Sequence, residues 1–453
     1  MWTLRLAFTA AVLFTLVSVG LAWQYRPLGW SSEAQVTDGL GDARLVDVLA
    51  DPAGATIHLV WEDNRDGIMQ VFYQHSLDDG VTWGHEFRLT HLTPQTVEPI
   101  PRLASNGKTL FVFFSNRTDT GEHLFYVLSN DEGSHFSDPT QFTTDAGDQS
   151  NAVVAADSKS VHVVWQGYLD GDEHIYYARS LDSGLSWQSE VKLTAAKAMD
   201  RHPTLAAIDG KVFVLWSRMN ADGSEAVFFR ASYDDGETWQ VERQISAPEA
   251  PVFQAFPSIA ADGKFVYAVW NGRAVTYARS NDTGLTWDPP ILLTNTTRQY
   301  LAPRIAVDGA HLDVVTAAIS TESVGRVIHV SSDVYVLESS DMGVHWSSPF
   351  SITDHPSGGL SLAPSVSAVH GAKFIAWEDN RNGAFAVFFA SNPDYVALNG
   401  YSNRLTVISA SAIGVIVIAY LATEARYRLS KPKRRRRRKS SHRRKRRTRR
   451  VRK

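Results

Sequence analysis

Ser76–Trp83 reads SLDDGVTW, and the same sentence returns five times: SNDEGSHF from Ser129, SLDSGLSW from Ser180, SYDDGETW from Ser232, SNDTGLTW from Ser280 and SSDMGVHW from Ser339. Successive copies start 53, 51, 52, 48 and 59 residues apart. A period near fifty marks a supersecondary unit that buries its apolar face only by stacking on its neighbours. The consensus Ser-x-Asp-x-Gly-x-x-Trp, with Phe136 once replacing the last Trp, has the composition of a hairpin turn. Ser and Asp side chains bond backbone N–H groups, Gly takes positive φ, and the aromatic leaving the turn buries a large ring against a neighbouring sheet. Asp78, Asp131, Asp182, Asp234, Asp282 and Asp341 therefore read as turn formers, not as catalysts or metal ligands.

Apolar runs rich in Val, Phe, Tyr and Trp lie between the turns and read as buried strands. They are IHLVWED from Ile57, LFVFFSN from Leu110, VHVVWQG from Val161, VFVLWSR from Val212, VYAVWNG from Val266, LDVVTAA from Leu312 and FIAWEDN from Phe374. A further strand precedes most of them and a third leads into the box. After each box comes a short fourth strand, such as FRLT at Phe87 or ILLT at Ile291. The last unit has neither box nor fourth strand, while AQVT from Ala34 has the form of a fourth strand with nothing before it. The expectation is an all-β propeller of seven four-stranded blades, six being the alternative, closed by the N-terminal strand so that no sheet edge stays open at the seam.

The motif resembles the Asp box of the sialidase superfamily, also called the BNR repeat, over about Gln35 to Tyr395. There it closes the turn between the outer two strands of a blade. Catalytic sialidases are similar to one another in having six blades, an Arg trio that grips the substrate carboxylate, a Tyr nucleophile polarised by a Glu, and an Asp acid/base. Their first-Arg signature, Phe/Tyr-Arg-Ile-Pro, is absent. PIPRLAS places Arg102 after Pro101, and APRIAV places Arg304 between Pro303 and Ile305. With no match for the Tyr or the Glu either, the resemblance assigns no catalytic residue. If the chain is an enzyme, the resemblance implies a glycoside hydrolase of sialidase type.

The face opposite the boxes should hold any ligand site. Its loops supply Arg102, Arg201 beside His202, Arg304, and the near-identical WEDNRDG from Trp61 and WEDNRNG from Trp377, which carry Arg65 and Arg381. These two Arg either pair with carboxylates in tight hairpins or point at an anionic ligand. No cofactor is expected. Calcium is the one ion the Asp170, Asp172, Glu173 stretch could take, and it lacks EF-hand spacing.

The ends differ from the middle. Arg5 followed by an apolar run from Leu6 to Trp23 reads as a signal peptide or signal anchor over residues 1–23, ahead of a propeller at 34–395. A linker at 396–404 leads to eighteen uncharged residues, 405–422, long enough to span a bilayer, and then to a basic tail at 423–453. Positive-inside logic places the tail in the cytoplasm and the propeller outside the cell membrane. The net charge of −3 hides the asymmetry: the tail from Arg426 holds 19 Lys or Arg, and the remaining 26 basic residues face 48 acidic ones, a balance of −22. An acidic body argues against nucleic acid as a partner of the propeller, while the tail suits anionic membrane lipid. With no cysteine, neither disulfides nor thiol chemistry contribute. The function expected is a surface module that binds a glycan or protein ligand through its loop face. The alternative is an exo-glycosidase of sialidase type or another polysaccharide-active enzyme on the same scaffold.

Overall fold

The Val- and aromatic-rich runs become the second strand of each four-stranded antiparallel meander, where both faces are covered and no polar alternation is needed. Ile57–Asp63 is buried along its whole length, and Trp61, Trp165, Trp216, Trp270 and Trp377 are among the largest fully buried side chains. The computed structural model describes residues 29–393 apart from 53–55, 94–96, 146, 158–159, 170, 196–197, 248–253, 325–326 and 354–358. The expected signal segment, linker, membrane span and basic tail lie outside the described residues, as does Asp170. No described helix is long and apolar enough to cross a membrane.

Five sheets have four strands, and one has eight. The strands of the larger sheet repeat the same meander twice, over 148–192 and 199–244, joined by a single parallel bridge between Glu173 and Met199. The other sets span 43–88, 102–141, 255–292 and 299–351, and the last combines 361–392 with the N-terminal strand Ala34–Gln35. In that last sheet Ala34 pairs with Phe389 and Gln35 with Phe388. The N-terminal strand thus completes the C-terminal sheet, as the AQVT pattern leads one to expect. Apolar clusters join each set to the next, and one made of Trp61, Phe72, Phe374 and Phe389 with their neighbours joins the last set to the first. The chain is an all-β β-propeller.

Each fourth strand is only two residues long, as in Phe87–Arg88, and is held by a side chain as well as by its ladder. Thr90 Oγ1 accepts the Val71 N–H at 2.9 Å. Thr143, Thr194, Ser246, Thr294 and Thr353 repeat this latch on their own third strands. At the seam Thr37 Oγ1 accepts the Val387 N–H at 3.0 Å. One stretch departs from its sequence reading: ISTESVGRVIHVSS from Ile319 looks like a long loop, but the ladder of His311–Val324 and Val327–Ser339 runs out to the Val324 and Val327 pair. Its β-branched residues extend the hairpin beyond the other sets.

The boxes form the turns foreseen and do more. In the first, Ser76 Oγ donates to Asp78 Oδ1 at 2.8 Å and accepts the Gly80 N–H, while Asp78 accepts both the N–H and the hydroxyl of Thr82 at 2.7 Å. The bonds to Asp78 stabilise its charged form, and the equivalent ones, led by those from His135, Ser186 and Thr238, hold Asp131, Asp182 and Asp234 at about 2. The turn glycine then docks on the preceding set: a Cβ at Gly236 would overlap the Tyr177 hydroxyl, and one at Gly80 would overlap the Phe389 ring. The box aromatic covers the same residue edge-on, Trp239 lying 4.8 Å from Tyr177 and Trp83 5.1 Å from Phe389 between ring centroids.

Gly236→Ala should therefore cost about 2–5 kcal/mol, combining overpacking against Tyr177 with a left-handed backbone. Gly223→Ala, at φ +80 with nothing near its added methyl, should cost only the backbone part, about 1–2 kcal/mol. Paired thermal or urea unfolding curves check this. Equal losses would show that the box glycine is needed for its φ alone.

Candidate functional site

The innermost strand of every set is broken by a bulge at the same level. Leu45, Ile100, Asn151, His202, Phe256, Ala302 and Ala363 all take positive φ, between 44° and 53°. Register shifts flank the position wherever the ladder continues past it, as between Arg201 and Thr204 or Leu301 and Arg304. In five sets the next residue is proline: Pro101, Pro203, Pro257, Pro303 and Pro364. A proline has no N–H to give a ladder, so it suits a bulge. The seven bulges turn their backbones and side chains into one cavity of about 300 Å³ on the ring axis, and every bulge residue lines it.

Side chains lent by neighbouring sets tie the bulges down. Glu378 accepts the Leu45 N–H at 2.9 Å, Glu62 accepts the Ile100 N–H at 3.3 Å, and Gln166 accepts the His202 N–H at 3.2 Å. Asp47 bridges two joints, accepting the Leu103 N–H at 3.0 Å and the Ser365 hydroxyl at 2.8 Å. A β-branched residue at positive φ is strained, so Ile100 persists only because such partners over-determine it.

The charges in the cavity come from Asp47, Glu98, Arg102 and Arg304. Arg102 and Arg304 make no ion pair among the described residues. Arg102 donates one hydrogen bond, to the Pro101 carbonyl at 2.9 Å. Burial, aided by the nearby positive charge of Arg102 and opposed by Asp47, lowers the Arg304 guanidinium to about 10. Two guanidinium groups that face one cavity with donors to spare offer the charge-assisted hydrogen bonds that an anion accepts. His202 also lines the cavity, its ring 4.1 Å from that of Phe256 and its Nδ1 3.1 Å from Ser217 Oγ. Burial first, and Arg201 next, lower it to about 4, so the imidazole is neutral at pH 7.

The other expected arginines are placed elsewhere. Arg65 is bound to Asp63 at 2.5 Å and Glu86 at 2.7 Å, with its guanidinium 4.6 Å over the Phe72 ring. Arg381 repeats this with Asp379 at 2.7 Å, Glu33, and the Phe388 ring at 4.5 Å. Neither lines the cavity; of the two arrangements open in the sequence, the structure shows the carboxylate-paired hairpin. The Glu of the same motif, Glu62 or Glu378, is the residue that reaches the neighbouring set. Arg201 pairs with Glu173, which takes that carboxylate out of the expected calcium stretch. Sequence reasoning overlooked Asp47, Glu98 and Asn151. The signal that could have found the ring of bulges was the recurrence of proline at one register of the first strand.

The fold defines the class: an all-β propeller built from a repeated meander with a box turn. The BNR repeat-like domain matches residues 63–314, more than half of the chain, and the chain belongs to that family. No curated protein matches the chain. Among solved structures, it is similar to a PL25 ulvan lyase bound to a GlcA(1-4)Rha3S unit, at 11% identity and a TM-score of 0.54, covering 80% of this chain and 95% of that one. A Hadza microbial sialidase is 14% identical at a TM-score of 0.45, with 74% and 76% covered. A Dyadobacter fermentans protein of unknown function is 13% identical at a TM-score of 0.48, with 81% and 99% covered.

Glu62 gives a pH test of this architecture. Burial, reinforced by Glu98 and Glu378 against the Ile100 N–H and Arg102, raises its carboxyl to about 7. The folded state therefore binds a proton more tightly than the unfolded state, and stability falls as pH rises from about 4.5 to about 7. Glu62→Gln keeps an acceptor for Ile100. It should match the wild type below pH 4.5 and exceed it above pH 7 by at most about 3 kcal/mol, read from denaturant midpoints across pH. A wild type whose stability rises through this window would contradict the assignment.

Proposed function

We propose that the chain is a surface-exposed BNR propeller of seven blades, the eight-stranded sheet counting as two, that binds the anionic end of a glycan in its axial cavity. The observation that carries this reading is the pair Arg102 and Arg304, which face one cavity without a carboxylate partner among the described residues. Among the described residues, Arg65, Arg218 and Arg381 are by contrast neutralised by Asp or Glu. A volume of about 300 Å³ is at the small end of ligand pockets and suits one sugar residue. The acidic body repels long polyanions at a distance, which favours a short ligand with its charge at the tip. That GlcA and a sulfated rhamnose are held by a related scaffold supports carboxylate or sulfate as the group recognised. The export and anchoring signals at the two ends fit a propeller presented outside the cell membrane, with the basic tail within.

The alternative, an exo-glycosidase or another polysaccharide-active enzyme, needs a nucleophile or general base at the anion. Among the described residues no tyrosine lines the cavity, which disfavours the sialidase mechanism; His202, Asp47 and Glu98 are the groups there with the chemistry of a base.

Retention of sialosides, uronate-ended and sulfated oligosaccharides on the immobilised protein, with product analysis of the same samples, tests both readings. Binding should fall by about 10–100-fold in Arg102→Ala and in Arg304→Ala, since each removes a charge-assisted contact of about 1.5–3 kcal/mol. Retention of an anionic glycan that survives both substitutions would sink the channel site, and cleavage lost in His202→Ala would move the protein to the enzyme class.

A further inference from the structure

A second polar cluster lies away from the cavity, in the joint between the 148–192 and 199–244 sets. His162 is fully buried there. Its Nδ1 sits 2.8 Å from Tyr177 Oη, and Tyr177 Oη in turn donates to the Asp235 carbonyl at 3.4 Å. With the phenolic proton so engaged, Tyr177 accepts from Nδ1–H, and the lone pair of His162 is left on Nε2. That nitrogen faces Asp235 Oδ1 at 3.6 Å. Both atoms are buried, and neither has a hydrogen-bond partner among the described residues. The other oxygen of Asp235 is fixed by the Ser160 hydroxyl at 3.0 Å. A ligand atom of Asp157 completes a group of three lying within 4.8 Å of one another.

Two acceptors pointed at each other in a buried joint are unfavourable unless a cation lies between them. We propose that His162 Nε2, Asp235 Oδ1 and a carboxylate oxygen of Asp157 bind one divalent transition-metal ion, Zn²⁺ being the best match, which staples two neighbouring sets together. Zn–N and Zn–O bonds of about 2.0–2.2 Å in a tetrahedral site place two ligand atoms roughly 3.3–3.5 Å apart, close to the 3.6 Å observed. One imidazole, two carboxylates and a water make an accepted donor set for this ion. Tyr177 is the outer partner that fixes the ring and its tautomer.

The repeat supplies its own controls. At the matching position of the second strand, other sets carry Phe111, Phe213 and Phe374. His58 keeps the bond to its tyrosine, Nδ1 lying 2.7 Å from Tyr73 Oη, but the residue opposite in the next box is Glu132 and no such cluster forms among the described residues. Asp313 occupies the position before the last set and is answered by Lys373 Nζ at 2.7 Å. This joint thus accepts either an aromatic ring or a charge with its counter-charge, and at His162 the counter-charge is the missing part.

The full-length protein, stripped with chelator, would be titrated with Zn²⁺ by calorimetry and with Co²⁺ by visible absorption. The wild type should bind one ion more than His162→Phe, and the ligand-field bands of Co²⁺ should vanish in that variant. Because phenylalanine stands at three equivalent joints, His162→Phe keeps the fold, which circular dichroism verifies. Asp235→Ser, the residue found at the same box position as Ser183, should weaken Zn²⁺ at that site by at least about 10–100-fold. Equal stoichiometry and affinity in the wild type and His162→Phe would overturn the proposal, and so would a wild type that takes up no ion there.

Discussion

The ring is held by a contact that spans two sets: the glycine of each Asp box lies against an aromatic side chain of the preceding set. Tyr73, Tyr177 and Tyr277 meet Gly133, Gly236 and Gly343, while Phe111, Phe229 and Phe389 meet Gly184, Gly284 and Gly80. An Asp carboxylate that accepts the backbone and side chain of the residue four positions on is what keeps the turn narrow enough for that approach. The box therefore does two jobs with one geometry. It closes a hairpin, and it presents a surface with no side chain to an aromatic ring, while its own Trp or Phe closes over the edge. Sheets that pack face to face by apolar residues alone could slide; a ring lodged against a bare backbone fixes their angle.

The set without a box shows what the contact is worth by how it is replaced. Trp30 packs into the cluster between the 299–351 and 361–392 sets, three residues ahead of Glu33 and four ahead of Ala34. That is the spacing from Trp83 to Phe87 in a complete box. Ser31 N–H donates to the Ser391 carbonyl at 2.7 Å, as Gly84 N–H donates to His75. Lys373 adds an ion pair to Asp313 and Glu338 across the same joint. The N-terminal strand segment and the last set thus rebuild the joint from a half-box and a half-buried charge triad.

Much of this was legible in the sequence because it repeats. Six boxes gave the turns, seven apolar runs gave the second strands, and AQVT gave the seam, since each is a local pattern whose physical need is local. The WEDNR motif was read only in part. Asn-Arg-Asp-Gly announces a hairpin, but whether Arg65 points along its own strand or across the ring depends on Phe72 and Glu86, which no local pattern brings together. The cavity was least legible. Its bulge residues, Leu45, Ile100, Asn151, His202, Phe256, Ala302 and Ala363, share no side-chain chemistry, and what unites them is a backbone angle. His162 was hidden for a different reason: as one residue in VHVVWQG it reads as a strand filler, and only the tertiary joint shows that its free nitrogen meets a carboxylate.

The two faces of the propeller follow from that division of labour. On the box side, the Ser and first Asp of each box are bonded within their own turn, as Ser76 and Asp78 are, so these side chains are committed to geometry. On the axis, the bulges at Leu45, Ile100 and His202 are held from outside by Glu378, Glu62 and Gln166, and the side chains two positions on differ from set to set. Position by position they read Asp47, Arg102, Val153, Thr204, Ser258, Arg304 and Ser365. Asp47, Ser258 and Ser365 use this position to bond the neighbouring set, whereas Arg102 and Arg304 leave it facing the cavity. Here the variation has put two positive charges on opposite parts of the ring, within reach of each other and of whatever anion enters the cavity.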